Sequence, residues 1–199
     1  MKVLVMPVGD YEANCYIIKD EISQEIVVID PGSSGSLLIK EIEKLQGRVK
    51  YILLTHAHAD HTGAVKELTE YFKVPVYISE KEEALILKGE FMFGKIKSDG
   101  YIKDGDTFNI GDLEIKCIET PGHTPGGLCF LINEYLFSGD TLFAGSIGRT
   151  DLTGGNFETI IHSIKNKLFI LPEDTRVFPG HGSETSIKDE KKYNPFLKN

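Results

Sequence analysis

Three of the six histidines in this 199-residue chain fall within one stretch of six residues. They follow the run Val49–Leu54, whose continuous hydrophobicity predicts a β-strand that is covered on both faces. His56 and His58 are two residues apart, so in an extended segment their imidazoles point to the same side. Asp60 and His61 complete four potential ligands, separated by alanines alone. The segment therefore predicts a site for one metal ion, or for two adjacent ions, at the end of a buried strand.

Three further candidate ligands lie in turns that follow predicted strands, namely His123, Asp140 and His181. A glycine precedes each of them and allows a sharp turn or a close backbone approach. Because strand ends can present side chains at one rim of a rigid scaffold, we expect these turns to lie near the histidine cluster. Five histidines and two aspartates in four such segments favour a metal site over a purely structural role. His162 falls within a helical pattern and is interpreted as an ordinary residue.

Hydrophobic periodicity predicts an α/β fold. The predicted strands are Val3–Val8, Cys15–Ile18, Glu25–Ile29, Val49–Leu54, Val74–Ile78, Thr107–Ile110, Leu113–Ile118, Leu128–Ile132, Tyr135–Phe137 and Val177–Phe178. Helical spacing is found at 37–45 (with Ser36 as the N-cap), Thr62–Phe72, Glu80–Leu87 and 157–168, and the polar tail from Ser183 is expected to begin as a helix. No linker-like change in composition interrupts the pattern, so we expect one domain, 1–199, with two sheets inside and helices outside.

Residues 88–104 have a mixed pattern that predicts no element. Phe91, Met92 and Phe93 lie together in this stretch. Core packing is the ordinary interpretation of such a group. A cover over a cleft and a contact between subunits are the alternatives.

Composition excludes several classes of protein. With 41% hydrophobic and 26% charged residues, the chain is neither disordered nor fibrous, and a net charge of −8 argues against nucleic-acid and anionic-membrane partners. No apolar run approaches the roughly 20 residues that span a bilayer, and the first residues fit a core strand better than a signal peptide. The cysteines, Cys15, Cys117 and Cys129, are few and odd in number, which predicts buried reduced thiols in a cytoplasmic protein.

Together these segments resemble the metallo-β-lactamase-fold hydrolases, and within them the glyoxalase II-like (hydroxyacylglutathione hydrolase) branch. The resemblance is carried, in this order, by THAHADH at 55–61, PGH at 121–123, SGD at 138–140 and PGHG at 179–182. Three further segments resemble the short bacterial members of the branch: NCYII at 14–18, GRTDL at 148–152 and NPFL at 194–197. The resemblance implies an αββα sandwich of two mixed sheets flanked by helices, with a metal site at one edge.

The resemblance also implies a role for each candidate ligand. His56, His58 and His123 would hold one metal ion; Asp60, His61 and His181 would hold a second; and Asp140 would bridge both through one carboxylate oxygen. The implied cofactors are two divalent ions, zinc in the first place, with iron or manganese as alternatives. Asp60 and Asp140 would be the catalytic residues, and proton acceptance is a second role open to Asp60.

The implied activity is hydrolysis of a small thioester of the hydroxyacylglutathione (S-lactoylglutathione) type by a metal-bound hydroxide at a binuclear site. A thiolate leaves without a strong general acid because the thiol has a reference pKa of about 8.5. The short stretch after His181 leads us to expect the type that lacks the C-terminal helical domain. The loop after Asp140 lacks the Lys and Tyr signature for glutathione, so the identity of the thiol stays open.

Substrate contacts are less well defined. Arg149 is a candidate substrate contact, with a structural ion pair to Asp151 as the alternative. Tyr11 and Asn14 are further residues for this edge, without an assigned role. The expected partner is a small-molecule thioester or ester, and the sequence predicts no oligomeric state.

Two other functions remain open. Persulfide dioxygenases share this scaffold and a GRTD stretch like Gly148–Asp151, and they use the positions of His56, His123 and Asp140 for a single iron. The GHG sequence at 180–182, in place of GHD, favours the hydrolase. A metal-stabilised binding module without turnover is the other alternative. A β-lactamase is disfavoured because no cysteine lies in the ligand segments, and an RNA-processing nuclease by the acidic charge.

Overall fold

The computed structural model describes residues 1–89 and 92–198. Within these ranges the chain forms two six-stranded sheets and a separate two-stranded ribbon. The first sheet contains, in spatial order, β1 (Lys2–Val8), β2 (Ala13–Lys19), β3 (Glu25–Ile29), β4 (Arg48–Leu53), β5 (Val76–Ile78) and β6 (Gly100–Tyr101). The second contains β14 (Thr185–Ser186), β13 (Arg176–Pro179), β10 (Tyr135–Gly139), β9 (Leu128–Ile132), β8 (Leu113–Glu119) and β7 (Thr107–Ile110). The ribbon pairs β11 (Leu142–Phe143) with β12 (Ser146–Ile147).

Both sheets are mixed, and their parallel pairs determine where functional residues meet. In the first sheet β3, β4, β5 and β6 run parallel, whereas β1 and β2 pair antiparallel. In the second sheet β10 and β13 are parallel and the other pairs are antiparallel. Parallel neighbours end at the same edge of a sheet, so the residues that follow β3 and β4, or β10 and β13, emerge side by side.

Helices cover the outer faces of both sheets. They are α1 (Gly35–Lys44), α2 (Ala59–Thr62), α3 (Val65–Phe72), α4 (Glu80–Leu87), α5 (Phe157–Ser163), which continues into a π-helical turn (Ile164–Leu168), and α6 (Ile187–Tyr193). Leu38 of α1 and Leu68 of α3 pack with the outer face of the first sheet, and Ile160 of α5 packs with that of the second. This arrangement is the predicted αββα sandwich.

Alternate residues of the central strands serve two different cores. In β2, Cys15 and Ile17 belong to the core under the helices of the first sheet, whereas Tyr16 and Ile18 face the core between the sheets. The Tyr16 ring packs edge-on against Phe137 of the second sheet, with 4.9 Å between ring centroids. Burial on both faces is the physical reason why these strands are apolar throughout.

The cysteines and the helices agree with expectations drawn from composition. All three cysteines are free and buried. Among the residues that the structure describes, no helix combines the length and hydrophobicity needed to cross a bilayer.

Three helix predictions were wrong in detail. The tail from Ser183 does not begin as a helix, because β14 precedes α6 there. Ser36 is not the N-cap of α1, because the cap position is Ser34, in a left-handed conformation with φ 57°, and the Ser36 hydroxyl instead donates to Glu67 at 2.6 Å. The helix predicted over Thr62–Phe72 is broken, since the Ala64 N–H donates to the Pro31 carbonyl at 3.0 Å instead of continuing the helix.

Part of the unassigned stretch 88–104 packs as expected. Phe93 is buried in the core of the first sheet, and its ring stacks on His58 with 5.2 Å between centroids. Met92 packs against the same core and also lines the cleft described below. Phe91 lies outside the described residues.

Candidate metal centre

The structure brings all seven candidate ligands together at one edge of the sandwich. His56 and His58 follow β4, and α2 presents Asp60 and His61 directly after them. The remaining three come from the second sheet, where His123 lies between β8 and β9, Asp140 follows β10 and His181 follows β13. The edge is shared because parallel strands of both sheets end there.

Three histidines form the first ligand group, namely His56, His58 and His123. Their potential ligand atoms lie within 4.8 Å of one another. The Nε2 atom of His123 is 3.0 Å from Nδ1 of His58. The group is buried, so its nitrogens are shielded from water.

Asp60, His61 and His181 form the second ligand group, again with potential ligand atoms within 4.8 Å of one another. The Nε2 atoms of His61 and His181 are 3.2 Å apart, and Nε2 of His181 is 3.3 Å from Asp60 Oδ2. His61 is fully buried, whereas Asp60 and His181 are partly exposed. The second group therefore lies on the solvent side of the centre.

The Asp140 carboxylate lies between the two groups. Its Oδ2 atom is 3.5 Å from Nε2 of His123 and 3.6 Å from Nε2 of His181. Its Oδ1 atom is 3.4 Å from Nε2 of His61. One oxygen is thus close to a histidine of each group.

Hydrogen bonds on the far side of the imidazoles fix how these rings are turned. Nδ1 of His123 donates to the Arg149 carbonyl at 2.8 Å, and Nδ1 of His181 donates to the Tyr11 carbonyl at 3.0 Å. Nδ1 of His61 lies 3.0 Å from the carboxylate of Asp30. With Nδ1 engaged in each ring, Nε2 faces the centre, which is the arrangement found around metal-binding histidines.

Asp30 is a residue of the centre that the sequence analysis missed. Its Oδ1 accepts the Thr55 N–H at 2.8 Å, and its Oδ2 accepts the Thr55 hydroxyl at 2.6 Å. The hydroxyl hydrogen is thereby used, so Thr55 Oγ1 accepts from Nδ1 of His56, 3.0 Å away. Asp30 thus orients His56 through Thr55 and His61 directly. An acidic residue at the end of β3 beside the strand of the histidine cluster was the available signal, but it resembled an ordinary Asp-Pro-Gly turn.

The residues present fit a divalent metal. Within the described part of the chain, the buried atoms His56 Nε2 and Asp140 Oδ1 have no hydrogen-bond partner. An unpaired buried polar atom costs about 1–3 kcal/mol, a cost that a bound cation would remove. Gly180 keeps the space open, since a Cβ atom there would lie 2.1 Å from Asp140 Oδ1. Imidazole nitrogens and carboxylate oxygens are ligands suited to zinc, iron and manganese.

The two groups differ in the protons that they hold without metal. Burial lowers the pKa of His56 and of His123, and it lowers the pKa of His58 to about 4. Burial also opposes charge on His61, but the carboxylates of Asp140 and Asp30 outweigh it and raise its pKa to about 9. The first group is therefore neutral at pH 7, whereas metal must displace a proton from the second.

Asp60 is held in its charged form. Burial opposes this charge, but a hydrogen bond from His181 and the charge of His61 lower the pKa of Asp60 to about 2. The same contact with Asp60 raises the pKa of His181 against the effect of burial. At neutral pH the Asp60 carboxylate is thus charged and able to bind a cation, but so low a pKa makes it a weak proton acceptor.

A cleft with a volume of about 800 Å³ opens onto the centre. His58, Asp60, Asp140 and His181 line it on the metal side. Its other walls are mainly apolar and consist of Tyr11, Met92, Phe143, Ile147 and Leu152, with Ser146 and Arg149. The volume is that of a small-molecule site.

Arg149 makes the ion pair that was one of its two predicted roles. Its Nε and Nη2 donate to the two carboxylate oxygens of Asp151 at 2.8 and 2.7 Å. Both side chains are exposed, and Arg149 also lines the cleft. Tyr11 reaches this edge as well, because it lines the cleft and its carbonyl accepts from His181.

A four-layer sandwich with a histidine- and aspartate-rich centre at the edge of its sheets defines a class of metal-dependent proteins. The family model for the Metallo-beta-lactamase superfamily matches residues 8–181. The chain belongs to this superfamily, and membership implies divalent metal ions at the centre.

Proteins of similar sequence include metallo-hydrolases. The chain is 40% identical to the probable metallo-hydrolase YqgX of Bacillus subtilis, over 99% of this chain and 98% of that protein. It is 36% identical to the hydroxyacylglutathione hydrolase GloC of Haemophilus influenzae, again over 99% and 98% of the two chains.

Solved structures of similar fold have different functional names. The B3 metallo-beta-lactamase BLEG-1 has a TM-score of 0.90 and 36% identity, covering 100% of both chains. ETHE1 from Myxococcus xanthus has a TM-score of 0.87 and 30% identity, covering 98% of this chain and 84% of that one. A di-iron-bound form of TTHA1623 has a TM-score of 0.86 and 33% identity, covering 98% of this chain and 100% of that one.

Proposed function

We propose that this protein is a hydrolase of small thioesters of the hydroxyacylglutathione type, such as S-lactoylglutathione, acting at a binuclear metal centre. One observation carries the proposal: the Asp140 carboxylate lies between two complete ligand groups, with Oδ2 3.5 Å from His123 and 3.6 Å from His181. A single-metal centre has no need of the second group. The buried free thiols fit a reducing compartment, so we also propose a cytoplasmic location.

In the proposed centre each ligand group would hold one divalent ion, and Asp140 would be shared between them. Zinc is our first choice, and the di-iron neighbour makes iron the main alternative. When bound, such a pair lowers the pKa of a shared water and polarises the substrate carbonyl.

The residues of the chain do the rest. Asp140 and Asp60 supply the negative charge that would balance the cations, and Asp60 also lies in the cleft wall. The apolar walls hold the substrate and reduce access of bulk water. A departing thiolate needs no strong acid. In agreement with this, the carboxylates among the described residues of the cleft lining are Asp60 and Asp140, and both lie at the centre.

The relatives support hydrolysis over other chemistries. Both sequence relatives described above have hydrolase names. One of them is named a hydroxyacylglutathione hydrolase, and its similarity to this chain extends over nearly the full length of both. The likeness to ETHE1 is compatible with the alternative, a persulfide dioxygenase that uses His56, His123 and Asp140 for a single iron. The completeness of the second group favours the hydrolase.

Metal content and turnover, measured on the same preparation, test the proposal. We expect two metal equivalents per chain by elemental analysis, and release of free thiol from S-lactoylglutathione without oxygen consumption. One iron per chain with oxygen consumption on glutathione persulfide would establish the dioxygenase instead. Metal without turnover of either substrate would indicate a binding module. A chromogenic β-lactam belongs in the panel because of the likeness to BLEG-1.

A further inference from the structure

Two buried polar side chains outside the ligand set, Glu82 and Asn14, support the loops that carry it. Each connects backbone groups next to candidate ligands, and their partners do not overlap. Glu82 lies beside the first ligand group and Asn14 beside the second. The question is whether they act on the metal centre or only on the stability of the fold.

Glu82 joins the two loops of the first ligand group. Its side chain is fully buried in α4. Oε2 accepts the N–H of Ala57, between His56 and His58, at 2.9 Å. Oε1 accepts the N–H of Gly126, in the turn after His123, at 2.7 Å. A single carboxylate therefore links the backbone of the two loops that supply all three histidines.

The position of Glu82 in its helix makes this use unexpected. Ser79 is the N-cap of α4, and its side chain accepts the Lys81 N–H at 3.3 Å. A glutamate three residues after such a serine commonly bonds back to the cap N–H and stabilises its own helix. Glu82 instead directs both oxygens away from α4. The carboxylate of Glu82 therefore makes its two backbone hydrogen bonds to the ligand loops and not to the start of its own helix.

Asn14 supports the turn that presents His181. Its Nδ2 donates to the carbonyls of Pro179 and Gly182, both at 3.0 Å. Its backbone N–H donates to the Gly180 carbonyl at 2.7 Å. Three carbonyls on either side of His181 are thus held by one buried residue of β2.

We propose that Glu82 is a positioning residue for the group of His56, His58 and His123, that Asn14 is a positioning residue for His181, and that the two act independently. The inference rests on the proposed two-metal centre. Residues that orient metal ligands typically change metal affinity by about 10- to 100-fold when substituted. A residue that only stabilises the fold would affect both groups alike.

Zinc titration of the metal-free protein in two single-group backgrounds separates these roles. His181→Ala disables the second group, and His123→Ala disables the first. In the His181→Ala background, E82Q turns an N–H toward an N–H and should weaken zinc binding about 10- to 100-fold, while N14D should change it less than about twofold. In the His123→Ala background we expect the reverse. Competition with a chromophoric chelator gives the affinities.

Matched substitutions control for charge and folding. E83Q removes the same charge one residue further along α4, where Glu83 bonds to Ser98 and Tyr101 instead of the ligand loops. N109D adds the same charge as N14D at an exposed position of β7. Neither should alter zinc affinity by more than about twofold. If E82Q or N14D does not fold, E82D and N14S, which each keep part of the bonding, replace them.

The outcomes distinguish the inference from the proposed function. Equal loss in both backgrounds, or no loss in either, would overturn the positioning roles while leaving the hydrolase intact. A wild-type protein that binds one zinc with no second event would overturn the two-metal centre. In that case zinc titration of E82Q in the His181→Ala background would still test the positioning role of Glu82.

Discussion

The Asp140 carboxylate lies close to histidines of both ligand groups. In the proposed centre its removal would take a shared ligand from both groups and leave the two cations without the negative charge between them. We expect Asp140→Ala to lose metal and to lower kcat/KM for the thioester by roughly a hundredfold or more. Elemental analysis and initial rates on one preparation check this.

The exposed turn residue Asp112 offers a matched control, and Asp112→Ala should behave as wild type. Retention of both metals and full turnover by the Asp140 variant would disprove the bridging role.

In the cleft wall, the positive charge of Arg149 is neutralised by its ion pair with Asp151. Removing the Asp151 charge frees the guanidinium for a carboxylate of glutathione. An exposed pair of this kind is weak, so D151N should lower KM for S-lactoylglutathione by no more than about fivefold, with little change in kcat. Steady-state kinetics give both constants.

The same acyl group on an uncharged thiol, S-lactoyl-N-acetylcysteamine, should show no such gain, and neither should the exposed variant D174N. If D151N raised KM for the glutathione thioester, Arg149 would have a structural role alone.

At the scale of elements, the break between α2 and α3 shapes the loop of His61. Gly63 has an ordinary helical φ of −61°, but a Cβ atom there would lie 2.4 Å from the Gly32 carbonyl oxygen. In an unconstrained helix, Gly→Ala is stabilising by up to about 1 kcal/mol. Here we expect Gly63→Ala to lower the free energy of unfolding by about 1–3 kcal/mol, because backbone must move. Urea unfolding of the metal-free protein measures it.

Gly89 provides the comparison, since a Cβ there meets nothing within 4 Å and has only the penalty of φ +75°. A Gly63→Ala variant as stable as wild type, or more so, would mean that α2 and α3 tolerate a continuous helix.

Local pattern predicted most strands and the positions of the candidate ligands, because burial on two faces and glycine before a polar residue leave direct traces in sequence. It missed Asp30 and Glu82, whose local surroundings imitate a turn and a helix cap. Their partners lie on neighbouring elements, and which strands become parallel neighbours is decided by packing that no single segment encodes. The α2–α3 break has the same origin, since it depends on the carbonyl of Pro31.

At the scale of the whole molecule, the reactivity of the three buried thiols measures how readily the cores open. Burial raises the pKa of Cys15, that of Cys117 to about 12 and that of Cys129 to about 11. The thiolate is the reactive form, so alkylation at pH 8 should require opening of the core. We expect no labelling by iodoacetamide over minutes in the native protein and three labels in denaturant, counted by mass spectrometry.

A thiol that labels rapidly without denaturant would show that its core opens locally. Cys15 lies under the helices of the first sheet and Cys117 between the sheets, so the labelled position would identify the layer concerned.

The ligands of the proposed centre are drawn from both sheets, from His56 near the end of β4 to His181 beyond β13. During synthesis, the first group lacks His123 until the second sheet is being made, and the second lacks His181 until β13 of that sheet has been made. Full metal loading therefore follows assembly of the sandwich and cannot guide its early steps. Once bound at the proposed centre, the ions would join the first half of the chain to the last strands, and we expect them to slow unfolding.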